Sequence, residues 1–162
     1  MFLSNRYVVR VLLILCFPIG SFAEKTTVLS IQQKMNELCL PFRNAGFIMY
    51  KKGDLNMERR TEFPIIVELK EGRWYQFCIV GDPKATKIEF KMATAEDGNI
   101  VTDKFNVEKT GEYWTGYSFI CPRSGKYLLT FYQRSSYKNL NGQIAILQKP
   151  SSTATSSIHY KH

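Results

Sequence analysis

The sequence predicts an all-β protein: an antiparallel β-sandwich of about seven to eight strands with a short N-terminal helix laid against it. Three observations lead there. Apolar residues recur at every second position through much of the chain after residue 60, glycine-bearing turns punctuate those runs, and the connections are too short for the crossover helices that parallel strands need. With 162 residues, 44% of them hydrophobic and 22% charged, the chain can bury one core of ordinary domain size. Disordered and low-complexity classes do not fit this composition.

Residues 1–23 read as a secretory signal peptide. Arg6 and Arg10 supply positive charge, residues 11–17 form an apolar run, and Pro18 and Gly20 break it. Ser21-Phe22-Ala23 then places small residues where a signal peptidase needs them, so cleavage is expected between Ala23 and Glu24. The apolar run is far shorter than the roughly 20 residues of a spanning helix. Cys16 follows Leu15 and not a small residue, which argues against lipid attachment. The expected location is secreted or periplasmic, with no transmembrane segment after signal cleavage.

Residues 24–46 carry a helical signature. Ser30 and Gln33 form a capping box, Ile31, Met35 and Leu38 recur at helical spacing, and Pro41 with Gly46 is expected to end the element. This stripe reads as core packing against a sheet. Residues 47–150 form the sandwich domain. Phe63, Ile65, Val67 and Leu69 alternate, and Lys70-Glu71-Gly72 turns the chain into a second run, 74–80. In that run Tyr75, Phe77 and Ile79 share one face, while Trp74, Gln76, Cys78 and Val80 share the other. Thr86, Ile88, Phe90 and Met92 then oppose Lys87, Glu89 and Lys91, the alternation of a strand with one wet face. Asp97-Gly98 is a hairpin-turn signal, returning into 100–105; further strands are expected at 117–121, 126–132 and 143–147. The Ser/Thr-rich residues 151–162 read as a disordered tail.

Three cysteines remain after cleavage, Cys39, Cys78 and Cys121. An odd number in an oxidising compartment leaves one disulfide and one spare thiol, or a bridge between chains. Cys78 is out of phase with the inward Phe77, so only the N-terminal segment could cover it. This favours pairing of Cys39 with Cys78.

The formal charge is +8; removing Arg6 and Arg10 leaves +6, spread diffusely among acids such as Glu58, Glu62, Glu68 and Glu89. Such a mixed surface lacks the basic stripe and stacking module that nucleic-acid binding needs, so no nucleic acid is expected as a partner. The only histidines are His159 and His162 in the tail, which deprives a serine or cysteine nucleophile of its base and a metal of its ligands. The carboxylate pairs Glu68 with Glu71 and Glu108 with Glu112 read as solvated surface, and no glycine-rich phosphate loop is present. The expectation is therefore no catalytic residue, no metal and no cofactor.

Leu69, Gly72, Tyr75 and Phe77 give the pattern L-x-x-G-x-x-Y-x-F, followed by Asp97-Gly98 and by Ser124-Gly125-Lys126-Tyr127 leading into Leu129 and Phe131. In this order the stretch 63–132 resembles the bacterial pre-peptidase C-terminal domains, small sandwiches attached to secreted peptidases. The resemblance implies a non-catalytic accessory or binding role. No peptidase accompanies the module here, and Asp82, Asp97 and Asp103 are too dispersed to match the calcium sites of some such modules.

Binding is expected at an aromatic loop. Tyr113, Trp114 and Tyr117 lie in a stretch read as joining two strands, where rigid rings offer contact area at low entropic cost. The functional expectation is a non-catalytic module that binds a protein or other macromolecule, with a carbohydrate-binding module as the alternative and a protein or glycan surface as partner.

Overall fold

The computed structural model describes residues 20–58, 61–94 and 98–150. The expected leader lies mostly outside the described residues, and the expected disordered tail lies wholly outside them. Helix α1, Gly20–Asn44, opens the described chain, and its first residues include the expected cleavage point. Ile31, Met35 and Cys39 form its buried stripe, flanked by Leu38 and Phe42. Two local signals are overridden here. Ser30 sits inside the helix, so the expected capping box does not mark a terminus, and Pro41 also lies inside. A proline in the last turn removes a single backbone donor, and the Ala45 N–H still donates to the Pro41 carbonyl at 3.0 Å. Burial of the stripe outweighs that loss. Gly46, at φ +83°, then takes the left-handed conformation that turns the chain into the sheet.

Ten strands follow among the described residues, all paired antiparallel. One four-stranded sheet runs β1 (Ile48–Asp54), β10 (Gln143–Gln148), β4 (Trp74–Val80), β7 (Trp114–Ile120). The other runs β3 (Glu62–Leu69), β8 (Gly125–Arg134), β5 (Lys87–Thr94), β6 (Gly98–Asn106). A two-stranded ladder, β2 (Met57–Glu58) with β9 (Asn139–Leu140), closes one end. A single-turn helix α2, Val107–Thr110, is capped by the Asn106 side chain and ends at Gly111 in the left-handed region. The fold is the expected all-β sandwich with a helix against it.

The alternation read from sequence places the core. Tyr75, Phe77 and Ile79 of β4 meet Phe90 and Met92 of β5 and Tyr127, Leu129 and Phe131 of β8 between the sheets. Phe77 and Phe90 lie 6.3 Å apart, and Phe90 and Phe131 5.2 Å apart, within the range of favourable ring pairs. The opposite face of β4 carries Cys78 and Val80, which with Ala145 and Leu147 of β10 form a second cluster beneath α1. The first sheet is thus buried on both faces where α1 crosses it. Past the helix, the Trp74 end of β4 and the outer side of β7 stay uncovered.

Candidate functional site

The structure does not gather Tyr113, Trp114 and Tyr117 on one surface. Trp114 is the first residue of β7, opposite Val80, and its half-buried ring packs on the α1 cluster with Lys34 Nζ 5.6 Å from the ring centroid. Tyr113 packs on the same cluster and on Ala85, Ile88 and Val107. Tyr117 faces the opposite way, into the sandwich, stacked on Phe77 at 5.5 Å. Its hydroxyl is buried without a hydrogen-bond partner, and burial raises its pKa above the ordinary phenol range. The reading of this stretch as a loop is corrected for Trp114 and Tyr117, which belong to β7; Tyr113 lies just before the strand. Gly116, which reads locally as a turn residue, sits opposite Cys78 in the ladder.

Of the two tryptophans, the one the fold exposes is Trp74; Tyr50 and Tyr137 are exposed elsewhere. Trp74 is 42% exposed, and its ladder partner Ile120 is 67% exposed on the same uncovered face. Phe47 braces the indole edge-on at 5.2 Å, and Lys149 Nζ lies 5.9 Å from its centroid. Lys149 is itself fixed: its backbone N–H donates to the Trp74 carbonyl at 2.8 Å, and its ammonium donates to the Ala45 carbonyl at 2.8 Å. Beside this pair the Ser118 hydroxyl donates to Gln76 Oε1. The platform lies along β7, which is paired on one side only. Trp74 was legible as a strand residue but not as an exposed one, because strand parity cannot say how far a helix from elsewhere in the chain will reach.

At the other end of the same sheet a cleft of about 360 Å³ opens under α1, lined by Val28, Ile31, Gln32, Asp54, Asn56, Asn141, Gly142 and Gln143. Gln143, only 6% exposed, donates through Nε2 to Asp54 Oδ1 at 2.7 Å, while its Oε1 has no partner. The Asn141-Gly142 turn is pinned from beneath. Buried Asp82 accepts the Asn141 N–H at 2.9 Å and the Lys84 N–H at 2.9 Å. Buried Gln133 donates to the Asn141 carbonyl at 3.2 Å and accepts the Asp82 N–H at 2.8 Å. The Gly142 carbonyl accepts the Leu55 N–H at 2.8 Å.

Cys39 and Cys78 come together under the helix, the neighbours that strand parity indicates. Both are buried, and all three described cysteines are free thiols, so no disulfide is formed in the structure. The Cys78 thiol donates to the Leu38 carbonyl at 3.9 Å and the Cys39 thiol to Met35 Sδ at 3.7 Å. The neighbouring Cys39 thiol, reinforced by burial, holds Cys78 well above the ordinary thiol range. Cys121 lies in the other cluster, between the sheets.

On the outer face of the second sheet, Glu89 is 8% exposed and pairs with Lys87 at 3.2 Å and with Lys91 and Lys104 at 3.3 Å each. Burial pushes its carboxyl up, but hydrogen bonds from the three lysines outweigh this and hold it below the ordinary value. Among the described residues, no group of three or more His, Cys, Asp or Glu side chains could hold a metal ion. No helix among them is long and apolar enough to cross a membrane.

No family model matches the chain, and no curated protein matches it significantly. Among solved structures it is similar to PliG of Aeromonas hydrophila, a periplasmic lysozyme inhibitor of g-type lysozyme, with 13% identity, 60% of this chain and 84% of that one covered, and a TM-score of 0.42. It is also similar to a structure described as CBM4, with 14% identity, 64% of this chain and 78% of that one covered, and a TM-score of 0.40. At these values neither likeness assigns a family or a function.

Proposed function

We propose that the chain is an exported, non-catalytic β-sandwich that binds a protein through the surface centred on Trp74 and Ile120. The observation that carries this reading is the braced, exposed Trp74 beside Ile120, next to a one-sided edge strand. Tryptophan is enriched among residues that dominate interface energies, and an unpaired strand edge offers backbone groups to an added strand. The partner's contact would be an apolar side chain on the indole with acidic groups near Lys149, matching the net charge of +6 left once Arg6 and Arg10 are removed. Tyr113, Trp114 and Tyr117 then serve as the packing that holds β7 in place. The signal peptide read from the sequence of residues 1–23 would place the chain in a secreted or periplasmic setting. The likeness of residues 63–132 to pre-peptidase C-terminal domains accords with an accessory binding role.

The test is affinity capture from the envelope fraction of the source cell, with wild type, Trp74→Ala and Trp114→Ala compared. A partner retained by wild type and weakened at least thirtyfold, about 2 kcal/mol, by Trp74→Ala is expected. Equal capture by Trp74→Ala and wild type removes this surface from the reading. A second reading, a carbohydrate-binding module, rests on the same indole as a stacking platform for a sugar ring. Saturable binding on a glycan array, lost in Trp74→Ala, would favour it over a protein partner.

A further inference from the structure

The cleft at the far end of the first sheet has a chemistry different from that of the Trp74 surface. Its polar lining is one carboxylate, Asp54, among the carboxamides of Gln32, Asn56, Asn141 and Gln143, with exposed Val28 as the apolar wall and buried Ile31 behind it. Its volume of about 360 Å³ is at the small end of ligand pockets, which run from roughly 300 to 1,000 Å³.

Two features mark it as prepared for a ligand. The Asp54 carboxylate is oriented by the Gln143 amide from below, leaving Oδ2 for another donor. The Asn141-Gly142 turn is held by a buried network, with Asp82 and Gln133 each 1% exposed. Burying a carboxylate and a carboxamide beneath a surface turn is costly unless every bond is made, and what the network fixes is the position of Asn141 at the cleft. Gly142 is part of the same device: a Cβ there would meet the Val80 carbonyl oxygen at 2.8 Å, so the turn must approach the sheet closely.

The lining selects among ligand chemistries. An anion would face Asp54, and a compact cation would find one carboxylate already hydrogen-bonded, where calcium sites use six to eight oxygens. An apolar ligand would leave the amides unpaired. Vicinal hydroxyls fit, because each hydroxyl both donates and accepts, and carboxamides and a carboxylate can each engage two neighbouring hydroxyls while an aliphatic side chain covers the ring's C–H face. We propose that this cleft binds a pyranose, free or at the end of a glycan, through Asp54, Asn56 and Asn141, with Gln32 at the rim.

This site is separate from the Trp74 surface, lying at the opposite end of β4, so the two can fail independently. The experiment adds N-acetylglucosamine, glucose, galactose and mannose, then their methyl glycosides, to the ¹⁵N-labelled full chain. Side-chain amide signals of Gln32, Asn56 and Asn141 are followed, with calcium chloride as a parallel arm. At least one sugar should shift these signals saturably. The affinity should fall at least about tenfold in Asp54→Ala or Asn141→Ala, as expected for loss of a hydrogen bond to a charged or preorganised group, and stay unchanged in Trp74→Ala. Gln32→Ala, an exposed helix position, gives a fold-neutral check if either variant melts early. Binding of methyl glycosides assigns a glycan end, and binding of reducing sugars alone assigns a free sugar. The proposal is overturned if no sugar shifts the signals, if calcium alone does, or if the shifts persist in Asp54→Ala, Asn141→Ala and Gln32→Ala alike.

Discussion

Cys39 and Cys78 lie side by side across the contact between α1 and β4, and a covalent bond there would tie the helix to the sandwich. Refolding the reduced chain in a glutathione redox buffer supplies the oxidant: each thiol gives up one hydrogen, the sulfurs join, and glutathione disulfide is reduced to two glutathione molecules. One of the two thiols attacks glutathione disulfide as the thiolate, and the other then displaces glutathione from the mixed disulfide. Closing a loop of about 40 residues removes unfolded-state entropy worth about 4 kcal/mol at 25 °C. With a urea dependence of about 1–3 kcal/mol per molar, the unfolding midpoint should rise by roughly 1–4 M relative to the reduced protein. Peptide mapping reads the linkage and urea denaturation reads the midpoint. Cys121→Ser should keep the difference between oxidised and reduced forms, and Cys39→Ala should abolish it. A map that links Cys121, or an oxidised protein whose midpoint matches the reduced one, would refute the reasoning.

Other perturbations have equally direct readouts. Glu89 should add stability at neutral pH that is absent from Glu89→Gln. Because its folded pKa is depressed, this advantage is present above the unfolded carboxylate value, about 4.3, and is lost as pH falls through the lower folded value; urea midpoints of both forms across acid pH measure it. Gly142→Ala should destabilise, since the new methyl would press on the Val80 backbone oxygen; a thermal midpoint equal to wild type would show that the turn can yield. Trp114→Ala should cost about 2 kcal/mol by chemical denaturation, roughly half of what a fully buried aromatic costs, reflecting its half-buried place on the α1 cluster.

Much of the fold was legible because strand alternation is a local property. Residues 74–80 appear as β4 with the predicted inward face of Tyr75, Phe77 and Ile79, and Cys78 faces the helix as its phase requires. The strand Ile48–Asp54 was not legible: it is an edge strand whose residues are mostly exposed, so no apolar period marks it. The start of the helix and the role of Pro41 were misread for the opposite reason, while Gly46 does turn the chain out of it. Ser30, Gln33 and Pro41 are strong local signals, yet the buried stripe from Ile31 to Phe42 overrides them. The candidate surfaces were largely hidden. Trp114 and Trp74 look alike in sequence, and only the reach of α1 covers the first and leaves the second open.

By itself the sequence determined the class of fold, the inward residues of its clearest strands and the side of the sheet on which Cys78 would lie. These follow from the two-residue period of an extended chain, which any local stretch displays. The tertiary structure alone decided which tryptophan meets solvent and that Gln32, Asp54, Asn56, Asn141 and Gln143 share one cleft. Both depend on where α1 settles and on β10 pairing between β1 and β4, contacts that include segments more than a hundred residues apart in the chain, which no local period encodes.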